Sequence, residues 1–170
     1  MKQELQDKLF EKYPKIFRQK DLSMQETAMC WGIETGDGWY NILNVLCTNI
    51  QQHIDWNNCT GKYEDQKQKF KCNREPIPQV EAVQVKEKYG GLRFYYHGGD
   101  DRTSGMIAMA EAMSDYTCEE CGAPGKQNTK GWIRTLCNGC LKKYQEIQSK
   151  RWGELDTKPV DKAIKDNCND

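Results

Sequence analysis

Residues 80–96 read VEAVQVKEKYGGLRFYY, and this stretch predicts a β-hairpin. The first half alternates apolar and polar residues, as a half-buried strand does, and the second half is rich in the aromatic residues that strands favour. A Gly-Gly pair at positions 90 and 91 separates the two runs and is a strong short-range signal for a tight turn. We therefore expect a small antiparallel sheet built on this hairpin.

Apolar residues at helical spacing predict helices on both sides of the hairpin. A short helix is expected at 2–12 and a second at 141–147. Another should follow the hairpin, with Asp100, Asp101 and Ser104 as its candidate caps. The longest spans about 38–56, with Asp37 as its expected cap and an apolar stripe formed by Trp39, Ile42, Leu43, Leu46, Ile50 and Ile54. The pattern predicts an α+β fold, with helices around a small antiparallel sheet.

Four cysteines have the spacing of a metal site, namely Cys118-x2-Cys121-x15-Cys137-x2-Cys140. Two residues between cysteines let one tight turn point both thiolates at a single ion, and two such turns complete a tetrahedron. An all-cysteine set leaves no open position for water, which favours one structural zinc ion over a catalytic one. The order of two knuckles with a strand between them and a helix after them resembles treble-clef and zinc-ribbon modules.

The other five cysteines have no such spacing: Cys30, Cys47, Cys59, Cys72 and Cys168. Ordinary free thiols are the simplest interpretation. A second site with mixed ligands, formed by His53, Cys59 and Cys72, is the alternative, because zinc accepts both nitrogen and sulfur.

The sequence predicts three segments. Residues 1–115 form an α+β core that contains the hairpin 80–96 and a polar loop at 57–78. Residues 116–150 form the zinc module with its following helix. Residues 151–170 form an acidic, loosely ordered tail.

Charge and composition bound the function. Lys and Arg total 25, as do Asp and Glu, so the chain has no global field to attract nucleic acid. The mean hydropathy is −0.92, and no apolar run approaches the roughly 18 residues of a membrane span. The polar start is not a signal peptide, and nine cysteines, four of them at metal spacing, fit a reducing compartment. We expect a cytoplasmic protein.

Basic and aromatic residues concentrate in the hairpin and in the strand between the two cysteine pairs. Aromatic faces beside cations suit a binding surface, although an amphipathic hairpin with charges outside also explains much of the pattern. The predicted partner-binding residues are Lys86, Lys88, Arg93, Tyr95, Trp132 and Arg134.

Two alternative functions stay open at this stage. The first is nucleic-acid binding by the zinc module, whose phosphate contacts would be Lys126, Lys130, Arg134, Lys142 and Lys143. The second is an enzyme with a nucleotide-like substrate, in which His97 and either Asp100 or Asp101 supply acid and base. No spacing proposes a catalytic triad, so catalysis is not the leading prediction.

Three stretches in particular suggest a family: LFEKYPKIF at 9–17, WGI at 31–33 before a Gly-Asp-Gly-Trp turn, and QVKEKYGGLRFY at 84–95. Together with the cysteine pairs after them, they resemble small accessory proteins of tailed bacteriophages and prophages. The resemblance implies a protein that acts in the bacterial cytoplasm by binding or inhibiting a host enzyme, a defence component or a signalling nucleotide. It transfers no active site.

Overall fold

The computed structural model describes residues 1–66, 75–128 and 132–156. Within these ranges the α-helices are α1 (Gln3–Lys12), α2 (Tyr40–Asn58), α3 (Asp101–Ser114) and α4 (Asn138–Asp156). The strands in the same ranges are β1 (Ile33–Glu34), β2 (Glu81–Lys88), β3 (Gly91–His97), β4 (Lys126–Gln127) and β5 (Thr135–Leu136). The predicted α+β fold class is confirmed. None of the described helices has both the length and the apolar composition needed to cross a bilayer.

The predicted hairpin forms from β2 and β3, which pair in antiparallel register. Val85 lies opposite Phe94, and both side chains face the core. Lys86 lies opposite Arg93 on the other face, which is turned to solvent. A register shift between Ala82 and Gln84 interrupts the ladder near the start of β2. The alternation of apolar and polar residues in the hairpin thus matches the structure, because one face of the sheet is buried and the other is exposed.

A third strand joins this sheet that the sequence did not predict. β1 pairs with β2 in parallel, with Ile33 opposite Val85 and Glu34 opposite Lys86. The sheet is therefore mixed, in the order β1-β2-β3, and not purely antiparallel. A strand of two residues is too short to show a period of two, so only its pairing with β2 defines it.

Side chains of α3 cover the outer edge of β3. The backbone N–H of Leu92 donates to Ser114 Oγ at 2.8 Å, and the N–H of Phe94 donates to Glu111 Oε1 at 2.8 Å. An open strand edge is a template for pairing with another chain. These two bonds give the backbone N–H groups of Leu92 and Phe94 an acceptor that they would otherwise lack.

Helices α1 and α2 bury apolar residues at the spacing that the sequence indicated, whereas α3 buries Ile107 and Ala110 but leaves Met113 53 % exposed. Residues from α1, α2, the hairpin and α3 share one core, in which the largest fully buried side chains include Leu9, Phe17, Trp39, Leu43, Ile50 and Leu92. Of the three candidate caps for α3, Asp100 is the one that caps it, because its Oδ1 accepts from the Thr103 N–H at 2.9 Å. The predicted cap by Asp37 is wrong: its carboxylate instead accepts from the Lys2 N–H at 2.7 Å.

The chain divides into two compact units, Met1–Cys137 and Asn138–Asp170. Strands β4 and β5 pair with each other in the first unit, and α4 is the described part of the second.

The segment boundaries predicted after 115 and after 150 stay predictions. The predicted polar loop contains a 3-10 helix at Gly61–Gln66, and the predicted tail begins inside α4. Residues 67–74, 129–131 and 157–170, with Cys72, Lys130 and Cys168 among them, lie outside the described residues.

Candidate metal centre

The first cysteine pair lies in a compact backbone turn. The N–H of Gly122 donates to the Cys118 carbonyl at 2.8 Å, and the N–H of Cys118 donates to the Ala123 carbonyl at 2.7 Å. Gly122 has φ +77°, a left-handed conformation that glycine adopts without steric cost. The local bonds thus shape a knuckle that turns Cys118 and Cys121 to the same side.

The structure brings together all four predicted cysteines. The sulfur atoms of Cys118, Cys121, Cys137 and Cys140 lie within 4.8 Å of one another, and the Sγ atoms of Cys121 and Cys137 are 3.7 Å apart. Sulfurs placed about 2.3 Å from a central ion in a tetrahedron are about 3.8 Å apart, so this separation fits a shared metal. Cys118 is buried and Cys121 is exposed. The set could hold one metal ion.

Two glycines let the chain before α2 approach the first knuckle. The N–H of Gly38 donates to the Glu119 carbonyl at 2.7 Å. A Cβ on Gly38 would lie 2.2 Å from the Cys118 carbonyl oxygen, and one on Gly36 would lie 2.3 Å from the Glu119 carbonyl oxygen. Both contacts are with backbone, so neither can be relieved by turning a side chain. The Gly-Asp-Gly motif is therefore a packing surface for the knuckle.

Glu119 is a buried carboxylate that the sequence did not single out. Its Oε1 accepts from the Gly36 N–H at 3.0 Å, and its Oε2 accepts from Arg134 Nη2 at 2.9 Å. Arg134 also donates to Glu120 Oε1 at 2.5 Å. Burial lowers the pKa of Arg134, but the hydrogen bonds to Glu120 and Glu119 outweigh it and hold that pKa above its usual value. The predicted partner-binding Arg134 is thus already engaged inside the fold.

The hairpin turn is held by side chains from the region between the two cysteine pairs. Gln127 Nε2 donates to the Tyr89 carbonyl at 2.5 Å, and Thr135 Oγ1 donates to the Gly90 carbonyl at 2.7 Å. The central turn residues are Tyr89 and Gly90, with φ +54° and +78°, and not the two glycines. Positive φ at both positions is the type I′ geometry that matches strand twist, but it is strained for a tyrosine.

Two aromatic side chains beside this turn are largely exposed. Trp132 is 70 % exposed and Tyr89 is 68 % exposed. Together with Glu87, Lys88 and Ile133 they line a shallow cleft of about 390 Å³. We call these five residues the turn surface. It contains two of the predicted partner-binding residues, Lys88 and Trp132, and adds Tyr89, whose exposure no sequence pattern indicated.

The remaining predicted partner-binding residues lie on the solvent face of the sheet. Lys86 Nζ is 5.6 Å from the centre of the Tyr95 ring, in a cation–π contact. Arg93 lies opposite Lys86, and its Nη1 donates to the Leu92 carbonyl at 2.6 Å. Their role in binding stays a prediction.

Within the part of the chain that the structure describes, the predicted acid–base pair of His97 with Asp100 or Asp101 does not form a hydrogen bond, and Asp100 contacts another histidine. Asp100 Oδ2 lies 2.8 Å from His53 Nε2, and no hydrogen bond in the described ranges joins Asp100 or Asp101 to His97. Burial raises the pKa of Asp100, but hydrogen bonds from His53 and Thr103 outweigh it and lower that pKa to about 2. His53 also lines a cleft of about 450 Å³, with Trp56 and Arg102. The pairing joins α2 to the start of α3.

The alternative second metal site finds no support among its described members. Cys59 is disulfide-bonded, so the prediction of a free thiol there is wrong, and His53 is engaged with Asp100. Cys30 and Cys47 are thiols, and burial raises the pKa of Cys47 well above its usual value.

No protein-family model matches the chain, and neither a curated protein nor a solved structure matches it. The resemblance to bacteriophage accessory proteins therefore rests on the three quoted stretches and the cysteine pairs alone.

Proposed function

We propose that the protein is a non-catalytic binding protein stabilised by one structural zinc ion. Zinc is the metal that best suits four thiolates in a tetrahedron, because it accepts soft sulfur ligands and has no geometric preference of its own. With all four positions taken by sulfur, the ion has no site for substrate or water. Its contribution is to the folding free energy.

The observation that carries the proposal is the position of the turn surface next to the metal-bearing segment. Tyr89 has a strained backbone, and side chains at Gln127 and Thr135 hold the turn in that geometry. Strain of this kind persists only where surrounding structure over-determines it, and it concentrates at functional sites. The metal thus supports an exposed pair of aromatic rings on a rigid turn.

The chemistry of the turn surface favours a protein partner. Exposed Trp and Tyr are the residues that most often dominate the free energy of protein–protein binding, and Lys88 and Glu87 supply a charged rim. The phage resemblance leads us to propose a bacterial host or defence protein in the cytoplasm as this partner. Nucleic-acid binding is the weaker proposal, because the net charge is zero and Arg134 already pairs with Glu119 and Glu120.

The test compares two single tryptophan substitutions in the full chain. Trp132→Ala removes the centre of the turn surface, and Trp31→Ala removes a tryptophan that is 58 % exposed elsewhere. Partners are captured from a bacterial extract, identified, and titrated against each variant by calorimetry. We expect Trp132→Ala to weaken binding by at least about tenfold, as hot-spot truncations do, and Trp31→Ala to leave it unchanged.

Circular dichroism and zinc content of each variant confirm that the fold is retained. Equal affinity of wild type and Trp132→Ala for every identified partner would refute the turn surface as the contact site. Binding that falls steeply with salt and requires Lys126 would instead favour nucleic acid.

A further inference from the structure

The face of α3 that points away from the core is unusually apolar. A surface helix normally carries polar residues on its solvent side, yet this one carries Met109 and Met113, four residues apart, and Met106 beside them packs partly against the core. Met109 is 67 % exposed. With Val45 and other residues of α2, these methionines line a groove of about 420 Å³ to which no charged side chain contributes. Methionine is flexible and polarisable, which suits it to such contact surfaces.

The groove runs between two antiparallel helices. At one end His53 of α2 contacts Asp100, just before α3 begins. At the other end Ile42, near the start of α2, lines the groove together with Met113, near the end of α3. One end of the groove is therefore the N-terminus of α3, and the other end is its C-terminus.

The charges at the two ends are complementary. Arg102 lies in the first turn of α3, where the helix dipole disfavours a cation, and in the described ranges it makes no hydrogen bond or ion pair. The opposite end of α3 carries the negative pole of the dipole, the carboxylate of Asp115 and the exposed ring of Tyr116. A second α3 laid antiparallel on the first would bring each Arg102 to such an end.

We infer that a second copy of this chain packs on the methionine face, with α3 antiparallel to α3 and a two-fold axis near Met109. Arg102 lies seven residues before Met109, or about 10 Å along α3, and Tyr116 lies seven residues after Met109, just beyond the end of the helix, so each arginine comes near the second copy's tyrosine. Gly105 and Met113 are each four residues away, so each methionine meets a glycine. An added Cβ at Gly105 would meet nothing within 4 Å, which leaves room for that side chain.

This dimer is independent of the proposed function, because the turn surface and the cysteine cluster contribute nothing to the methionine face. The interface is isologous: the same patch on each copy meets itself, as in most homodimers. Burial of the exposed methionines and of Val45 supplies the apolar core that a stable interface requires.

The first experiment measures the mass of the full chain by native mass spectrometry and by sedimentation over a range of concentrations. We expect a dimer for the wild type. Met109 is exposed in the single chain, so Met109→Glu should leave the fold unchanged. In the dimer the substitution puts two carboxylates next to each other at the axis. It should therefore raise the dissociation constant by at least about 30-fold. Met24→Glu is the matched control, since Met24 is 66 % exposed and lies away from α3, and it should not change the dissociation constant.

The second variant separates association from folding. Arg102→Glu removes the cation at the interface but places a carboxylate in the first turn of α3, where it favours the helix. We expect weaker dimerisation with no loss of thermal stability in the monomer. A wild type that is monomeric at every concentration would overturn the proposal, and so would a dimer that Met109→Glu or Arg102→Glu leaves equally tight.

Discussion

Gly38 illustrates how single residues determine the contact between the metal-bearing knuckle and the core. The carbonyl oxygen of Cys118 and the amide nitrogen of Gly122 lie 2.2 and 2.4 Å from where a Cβ at Gly38 would be. The missing side chain allows the Gly38 N–H to donate to the Glu119 carbonyl. The glycine is thus required for close backbone approach and not for an unusual φ.

The substitution Gly38→Ala should therefore be destabilising. The added methyl group must push apart two backbone segments, and overpacking of this kind costs about 1–3 kcal/mol in the free energy of unfolding. The measurement is urea unfolding of the zinc-loaded protein, followed by tryptophan fluorescence. We also expect weaker zinc retention against a chelator, because Cys118 must move.

Gly105→Ala is the matched control for this prediction. Gly105 lies within α3 with open space around its Cα, so alanine should stabilise the helix by about 0.5–1 kcal/mol. Both variants are compared at low protein concentration, so that association does not contribute. Equal stability of the two variants would show that the Gly38 contact is looser than the structure has it.

At the scale of an element, α3 performs two tasks with the side that it turns to the rest of the fold. Its inner face packs Ile107 and Ala110 into the core, and its side chains at Glu111 and Ser114 accept hydrogen bonds from the edge of β3. The helix thereby replaces the strand that this edge lacks. Because these acceptors are side chains, the cover depends on individual residues and not on the helix backbone.

Ser114→Ala should test this cover directly. The substitution leaves the buried Leu92 N–H without an acceptor, and an unsatisfied buried donor costs about 1–3 kcal/mol. We expect a lower thermal midpoint and faster amide hydrogen exchange at Leu92. Ser104→Ala, on the exposed side of the same helix, should change the midpoint little. Unchanged exchange at Leu92 in Ser114→Ala would contradict the assigned bond.

For the molecule as a whole, the knuckle is joined to the rest of the first unit by backbone and side-chain bonds. The buried ring of Trp39 donates from Nε1 to the Thr117 carbonyl at 2.8 Å. Thr135, two residues before the third cysteine of the cluster, donates to the hairpin turn at Gly90. A metal bound at the cysteines would therefore stabilise the core and the hairpin as well as its own turns.

Removal of the metal should affect the core as well as the cysteine turns. We expect the zinc-loaded chain to contain one zinc per protein. A chelator or Cys118→Ser should lower the thermal midpoint and alter the near-ultraviolet circular dichroism, to which the buried Trp39 contributes. Structural zinc sites contribute on the order of 10 kcal/mol to folding, which exceeds the total stability of many domains. Cys30→Ser should leave both signals unchanged. An unchanged near-ultraviolet spectrum in the metal-free protein would show that the core folds without the knuckle.

The sequence by itself determined the parts that depend on local spacing. Alternation and a glycine turn defined the hairpin, intervals of three and four defined the helices, and the x2 spacing paired the cysteines. Each of these patterns spans a few residues, and each reflects backbone geometry that a short segment adopts on its own. The α+β class follows from their sum.

The tertiary structure alone decided the contacts between distant segments. It added β1 to the sheet, paired Asp100 with His53 instead of His97, and turned Arg134 inward to Glu119. It also left Met109 and Met113 of α3 largely exposed. Each of these outcomes depends on which surfaces meet when the chain packs. Several packings satisfy the same local sequence patterns. The spacing of residues along the sequence therefore does not determine which of them forms.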